Sequence, residues 1–302
     1  MSKEIVEKIN KLRKEKNAII LAHNYQVPEI QDVADFVGDS LGLSQKAAET
    51  EAEIILFCGV HFMAETAKIL NPDKKVIVPD INAGCPMANM INVRQLKRLK
   101  EKHPDAIVVC YVNSTAEVKS MVDYCCTSAN APKIVNAIDP KKEIIFIPDK
   151  YLGNWVSKET GRELILWNGF CPTHRRILPE NIIQRKKEHP NAIVIAHPEC
   201  IPEVLEKADY IRSTSGMLKV VAELDAEEFI IATEIGMLHP LAKKHPDKKF
   251  YPASKIADCP NMKLNSLEKL LWALEDLKPE VIVPEDIREK ALKSIERMIN
   301  IS

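Results

Sequence analysis

Three of the eight cysteines in this chain are followed by proline: Cys85-Pro86, Cys171-Pro172 and Cys259-Pro260. Their spacing sets them apart. Three segments open alike, Asn17-Ala-Ile-Ile-Leu-Ala-His23, Asp105-Ala-Ile-Val-Val-Cys-Tyr111 and Asn191-Ala-Ile-Val-Ile-Ala-His197, with starts 88 and then 86 residues apart. The Cys-Pro pairs follow those starts by 68, 66 and 68 residues. An aspartate follows each start by 18 residues (Asp35, Asp123, Asp209) and a hydroxyl by 23 (Ser40, Ser128, Thr214). Four matches in register across three segments mark a threefold internal repeat. Cys58, Cys110, Cys125, Cys126 and Cys200 lie outside that register. Cys58 and Cys110 sit in apolar runs and read as core thiols.

One cysteine per repeat brings three thiols to one centre if the repeats surround a common axis. Structural zinc prefers four ligands, often in close C-x₂₋₄-C pairs, which are absent here. A [4Fe–4S] cluster normally takes four cysteines, so three leave one iron without a protein ligand. Such an iron is a Lewis acid for a hydroxyl or carboxylate, which fits dehydration better than electron transfer. On spacing alone the cluster is preferred to zinc, and zinc stays open.

These groups need elements that hold them. Each repeat reads as strand, helix, strand, helix, strand, helix, strand, cysteine loop. In the first repeat, Ala18–Ala22, Asp35–Val37, Ile54–Cys58 and Val76–Val78 read as strands. The helices between them cover Pro28–Ala34, Leu41–Glu51 and Ala64–Leu70, the last ended by Asn71-Pro72. The expected fold is α/β: three homologous three-layer repeats with short parallel sheets around a pseudo-threefold axis. The expected boundaries are 1–90, 91–176 and 177–262, with a helical tail over 263–302 packing back on the repeats. Ligands collect at the carboxyl ends of parallel strands. His23, Tyr111 and His197 fall just past the first strand of each repeat. Ser40, Ser128 and Thr214 fall past the second, where a helix begins. Helix N-termini with hydroxyls suit phosphate or carboxylate, although Ser and Thr are also ordinary N-caps. The three aspartates read as caps or braces, His103 and His189 as helix-end residues, and Trp155, Trp167 and Trp272 as packing residues.

The 302-residue chain has 42 Lys+Arg against 43 Asp+Glu, a net charge of −1, which gives no electrostatic footprint for nucleic acid. No apolar run reaches the ~20 residues of a membrane span. The Met1–Glu7 segment lacks the apolar core of a signal peptide. A cytoplasmic protein is expected, with thiols reduced. No Gly-rich dinucleotide fingerprint or Walker A string is present.

Several strings together resemble the quinolinate synthase family over essentially the whole chain. They are His23-Asn-Tyr-Gln26, Gly38-Asp-Ser-Leu41, Gly59-Val-His-Phe-Met-Ala-Glu65, Cys85-Pro-Met-Ala88, Tyr111-Val-Asn113, Thr127-Ser-Ala-Asn130, Trp167-Asn-Gly-Phe-Cys-Pro-Thr-His174, His197-Pro-Glu-Cys200, Ser213-Thr-Ser-Gly-Met217 and Cys259-Pro-Asn-Met262. The resemblance implies that iminoaspartate and dihydroxyacetone phosphate condense to quinolinate, in NAD biosynthesis, with loss of phosphate and two waters. It implies a [4Fe–4S] cluster on Cys85, Cys171 and Cys259. It implies a substrate pocket of His23, Ser40, Tyr111, Asn113, Ser128, His197, Glu199, Ser213 and Thr214. Tyr25 and Glu199 match positions with acid–base roles, and His174 joins them as a catalytic candidate. Iminoaspartate is unstable, so a separate L-aspartate oxidase or dehydrogenase is the implied functional link. Some relatives carry a second cysteine three residues after the last ligand; Met262 stands there, so no regulatory disulfide is expected at that place. The competing readings are another [4Fe–4S] hydro-lyase, a zinc-dependent condensing enzyme and a non-catalytic iron–sulfur carrier. A reactive imine needs shelter from water, and the His23–Gln26 segment is the expected moving part.

Overall fold

A computed structural model describes residues 2–301. It contains twelve strands in three sheets. The first sheet holds β1 (Ala18–His23), β2 (Phe36–Gly38), β3 (Ile54–Cys58) and β4 (Lys75–Ile77). The second holds β5 (Ile107–Tyr111), β6 (Tyr124–Cys126), β7 (Ile144–Ile147) and β8 (Ile165–Leu166). The third holds β9 (Ile193–Ala196), β10 (Tyr210–Ile211), β11 (Glu228–Ala232) and β12 (Lys249–Pro252). Within each sheet every ladder is parallel, and the order is second, first, third, fourth strand. Strand order therefore reverses beside the first strand of each repeat. A crevice opens outside the carboxyl ends at such a reversal, and His23, Tyr111 and His197 stand there.

The central strands are apolar and closed to solvent on both faces. β3 and β7 are buried along their whole length, as a parallel sheet covered by helices requires. The repeat aspartate is a brace in all three copies. Asp35, Asp123 and Asp209 each accept the backbone N–H of the residue fifteen places earlier, Ile20, Val108 and Val194, at 2.8 Å. Each also donates its own N–H to the carbonyl of that same residue. The start of every second strand is thereby locked to the middle of the first.

His103 and His189 end helices, and so do Asn71 and His245. All four share φ of −132 to −133° and ψ of 68 to 72°, and all four precede a proline, which disfavours a further helical turn. Of the tryptophans, Trp167 donates its indole N–H to the Met90 carbonyl. Trp272 is 57% exposed and does not serve as a packing residue; it lies on the outer face of a tail helix.

Two tail helices lie on different sheets. Leu270 and Leu274 of Leu267–Asp276 pack with Ile9, Ile20 and Leu56 on the first. Helix Glu285–Asn300 lies on the second, where the Ser294 hydroxyl reaches the Lys119 carbonyl. At its last turn and C-cap, the Asn130 amide donates to the carbonyls of Met298 and Ile301 at 2.9 and 3.0 Å. No helix among the described residues is long and apolar enough to cross a membrane. Replacing Asp123, the half-buried copy of the brace, by Ala should cost about 1–2 kcal/mol for two strands' lost side-chain bond. A urea titration with unchanged slope and a lowered midpoint is the check.

Candidate active site

The cavity at the shared carboxyl ends is lined by residues of all three repeats. It includes Cys85, Cys171 and Cys259, together with His23, Tyr25, Ser40, Tyr111, Asn113, Ser128, His174, His197, Glu199 and Thr214. About 670 Å³ of it is free of atoms, counting the part open to solvent.

Each cysteine is placed by a loop tied to its surroundings. The Cys85 loop is pinned by the Asn261 amide on the Gly84 carbonyl at 2.6 Å. The Cys171 loop abuts the end of β7, where Lys150 donates its N–H to the Gly169 carbonyl. A Cβ at Gly169 would lie 2.3 Å from the Pro148 oxygen, so no other residue fits there. The Cys259 N–H donates to Glu234 Oε1 at 2.9 Å.

The three thiols are not arranged for one ion. Ligands about 2.3 Å from one zinc lie within about 4 Å of each other. The one group of Cys, His, Asp or Glu ligand atoms mutually within 4.8 Å, among the described residues, is Cys171, His174 and Glu199. A cluster binds each thiolate through a different iron and suits three cysteines spread around one cavity. Burial pushes the Cys85 thiol up to about 12, and it also raises Cys171, with Glu199 adding to the effect, and Cys259. These thiols keep their protons until a metal displaces them.

A buried polar chain begins beside Cys171. Glu199 is 3% exposed. Its Oε2 stands 3.1 Å from His174 Nδ1 and 3.2 Å from His197 Nδ1, and its Oε1 has no partner. His174 Nδ1 is also 3.2 Å from Cys171 Sγ, and its Nε2 is 2.8 Å from Thr233 Oγ1. Thr233 Oγ1 lies 2.6 Å from the Tyr25 hydroxyl. Burial pushes His23 down to about 3 and His174 down to about 4, so both are neutral. Burial also raises the Glu199 carboxyl, but His174 and His197 outweigh it and hold the group below the usual carboxylate range. Burial, with Glu199 nearby, raises the Tyr25 and Tyr111 phenols. The site therefore holds a carboxylate and two protonated phenols at neutral pH.

The hydroxyls are not helix caps. Helix Ser40–Glu49 is capped by Asp39, and Thr214–Glu223 by Ser213. Ser40 and Thr214 are first helical residues whose hydroxyls are free of capping duty. Thr214 Oγ1 accepts from the Asn24 amide, and Ser128 Oγ faces His197 Nε2 at 3.2 Å. Ser213 is the exception among the expected pocket residues: its hydroxyl caps the helix through the Gly216 N–H, and it does not line the cavity. Asn113 Oδ1 is buried without a partner.

The His23–Gln26 segment is strapped rather than loose. The Gln31 amide reaches the carbonyls of Asn24 and Gln26, and Lys263 holds that of Tyr25. Thr233 and Glu234 were not singled out by register, yet both belong to the site. The signal was present: Asp149 and Glu234 are both acids two residues past the third strand of their repeats, and both are fully buried.

The neutral His23 links the site to acid stability. The unfolded chain takes up a proton near 6.5, while the folded chain refuses it until about 3. Stability is therefore lost as pH falls through that window. His23→Gln should lose less urea stability than the wild type between pH 6.5 and about pH 5. Equal losses would assign the proton uptake to other groups.

The family model described as "NadA: Quinolinate synthetase A protein" matches residues 7–300. A quinolinate synthase of Thermodesulfovibrio yellowstonii is 54% identical over 302 residues, covering 100% of this chain and 99% of its own. One from Desulforudis audaxviator is 53% identical, covering 99% of both chains. One from Methanosarcina barkeri is 52% identical, covering 98% of this chain and 97% of its own.

Proposed function

The chain belongs to the quinolinate synthetase A family, enzymes that form quinolinate in NAD biosynthesis, and from that premise we propose that its cavity condenses iminoaspartate with dihydroxyacetone phosphate beside a [4Fe–4S] cluster on Cys85, Cys171 and Cys259. One molecule of each substrate gives quinolinate, phosphate and two waters. The observation that carries this reading is the meeting in one cavity of three register cysteines, one per repeat, with Glu199, whose Oε1 has no partner. An L-aspartate oxidase or dehydrogenase supplies the imine.

When bound, the cluster supplies an iron with no protein ligand, a Lewis acid for a substrate oxygen. The chain's own groups do the rest. Ser40, Ser128, Thr214 and Asn113 bind the carboxylate and phosphate oxygens and orient the carbon atoms to be joined. Glu199 Oε1 accepts the proton that carbon–carbon bond formation and elimination release. His174 and His197 hold the other oxygen, which leaves Oε1 free for that proton. Tyr25 holds its proton on Oη and donates it to a leaving oxygen. Environment thus divides the two roles: the carboxyl is kept ionised and the phenol kept neutral. Tyr111 donates a hydrogen bond, and neutral His23 and His174 line the wall without drawing in water. A dry wall protects the imine from hydrolysis.

A second reading has its own observation. Cys171, His174 and Glu199 could together hold a single zinc ion for a condensation of aldolase type. Anaerobic metal and sulfide analysis separates the two: the cluster requires about four irons and four sulfides per chain, and the zinc site requires one zinc and no sulfide.

Cys171→Ala should lose both the visible absorption of the cluster and quinolinate formation; full activity in a cluster-free protein would overturn the proposal. Glu199→Gln should keep the absorption and lose turnover by about 10²- to 10⁴-fold. Normal turnover in that variant removes Glu199 from the base role.

A further inference from the structure

Lys263 lies four residues beyond Cys259, outside the cavity wall, and no step above uses it. Its ammonium makes two contacts that join separate parts of the site. One is with Glu234 Oε1 at 3.0 Å, and the other is donated to the Tyr25 carbonyl at 2.6 Å.

Glu234 is fully buried, and both of its oxygens are committed. Oε1 takes the Cys259 N–H as well as the lysine, and Oε2 takes the Gly236 N–H at 2.6 Å. Lys263 supplies the positive charge opposite this buried carboxyl, beside the two backbone N–H groups. Removing one member of such a pair strands the other.

Gly236 closes the joint from the other side. A Cβ there would lie 2.9 Å from the backbone of Tyr25, so the two chain segments touch directly. The Gln31 amide bridges the carbonyls of Gly236 and Gln26, and the Gln26 amide reaches Met262 Sδ at 3.4 Å. Three stretches meet here, 24–26, 234–236 and 259–263, and beside these contacts one ammonium ties the Tyr25 carbonyl to Glu234.

We infer that Lys263 is a positioning residue which, through Glu234, couples the backbone of the Cys259 loop to the backbone that carries the Tyr25 phenol. The joint stands on the contacts alone; its effect on turnover rests on the donor role given to Tyr25 above. A salt bridge that served stability only would leave the Tyr25 ring in place when removed. A positioning residue would not, because a displacement of about 1 Å in a donor can cost up to about 100-fold in rate.

The test uses holoenzyme containing 3-fluorotyrosine. The chain has six tyrosines, and Tyr25→Phe and Tyr111→Phe identify two of the fluorine resonances. In Lys263→Met, iron content and visible spectrum should match the wild type. The Tyr25 resonance should move and the Tyr111 resonance, from the same cavity but without a contact to Lys263, should not. Turnover should fall by about 10- to 100-fold with KM little changed. Lys263→Arg, which keeps the charge and the donor, should return the Tyr25 resonance and most of the turnover. If Lys263→Met does not fold, Lys263→Gln is read in the same way. An unmoved Tyr25 resonance in the folded variant overturns the inference whatever the activity. A moved resonance with normal turnover supports the joint and counts instead against Tyr25 as the proton donor.

Discussion

Glu199 is a negative charge taken out of water, with His174 and His197 each about 3 Å from one of its oxygens. Burying an ion costs several kcal/mol unless neighbours compensate it. Neither histidine comes from a remote part of the fold by chance. His197 stands at the end of β9 and precedes Glu199 by two residues, so the third repeat supplies the carboxylate and one holder together. His174 comes from the short helix that follows Cys171, in the second repeat. The first repeat closes the arrangement with His23 and Tyr25. A charge that no single repeat could accommodate is tolerated because three repeats surround it. Burial shifts His23 down and the Tyr25 and Tyr111 phenols up; Glu199 adds to the rise of the phenols and opposes the fall of His23.

Parallel sheets make that convergence inexpensive. All loops leaving the carboxyl ends of a parallel sheet emerge on one side, and the reversal of strand order beside the first strand opens a crevice there. Three copies facing inward place equivalent residues around one cavity. Equivalence stops at position, however. Tyr111 replaces histidine in the second copy, and the hydroxyl of that copy, Ser128, precedes its helix where Ser40 and Thr214 begin theirs. The cavity is lined by unlike groups on a like framework.

Much of this was legible because repetition turns weak signals into strong ones. A single Asp-plus-hydroxyl spacing carries little information; three in register located the strand braces and the pocket hydroxyls. The element order in each repeat followed from alternating apolar runs and helix-ending Asn-Pro and His-Pro pairs. Legibility failed where the physics is not periodic. The hydroxyl-to-cap assignment shifted by one residue, since Asp39 and Ser213 sit immediately before the register positions and cap better from there. Lys263 leaves no local pattern because its partner stands 29 residues away, and the register signal at Glu234 is weak because it recurs only as Asp149, with Val60 at that place in the first repeat. The mobility expected of His23–Gln26 was argued from chemical need, and the side chains that strap it come from Gln31 and Lys263, outside the segment.

The Asn130 amide gives the Thr127–Asn130 loop its last anchor, on the carbonyls of Met298 and Ile301, 168 and 171 residues away. A ribosome releases those carbonyls only after all three cysteine loops have been made. The nascent chain can close its three sheets early, since each sheet is built from contiguous sequence. The loop that presents Ser128 must wait for the tail. Synthesis therefore runs in an order that completes the scaffold and the thiols first and fixes the second repeat's contribution to the pocket last.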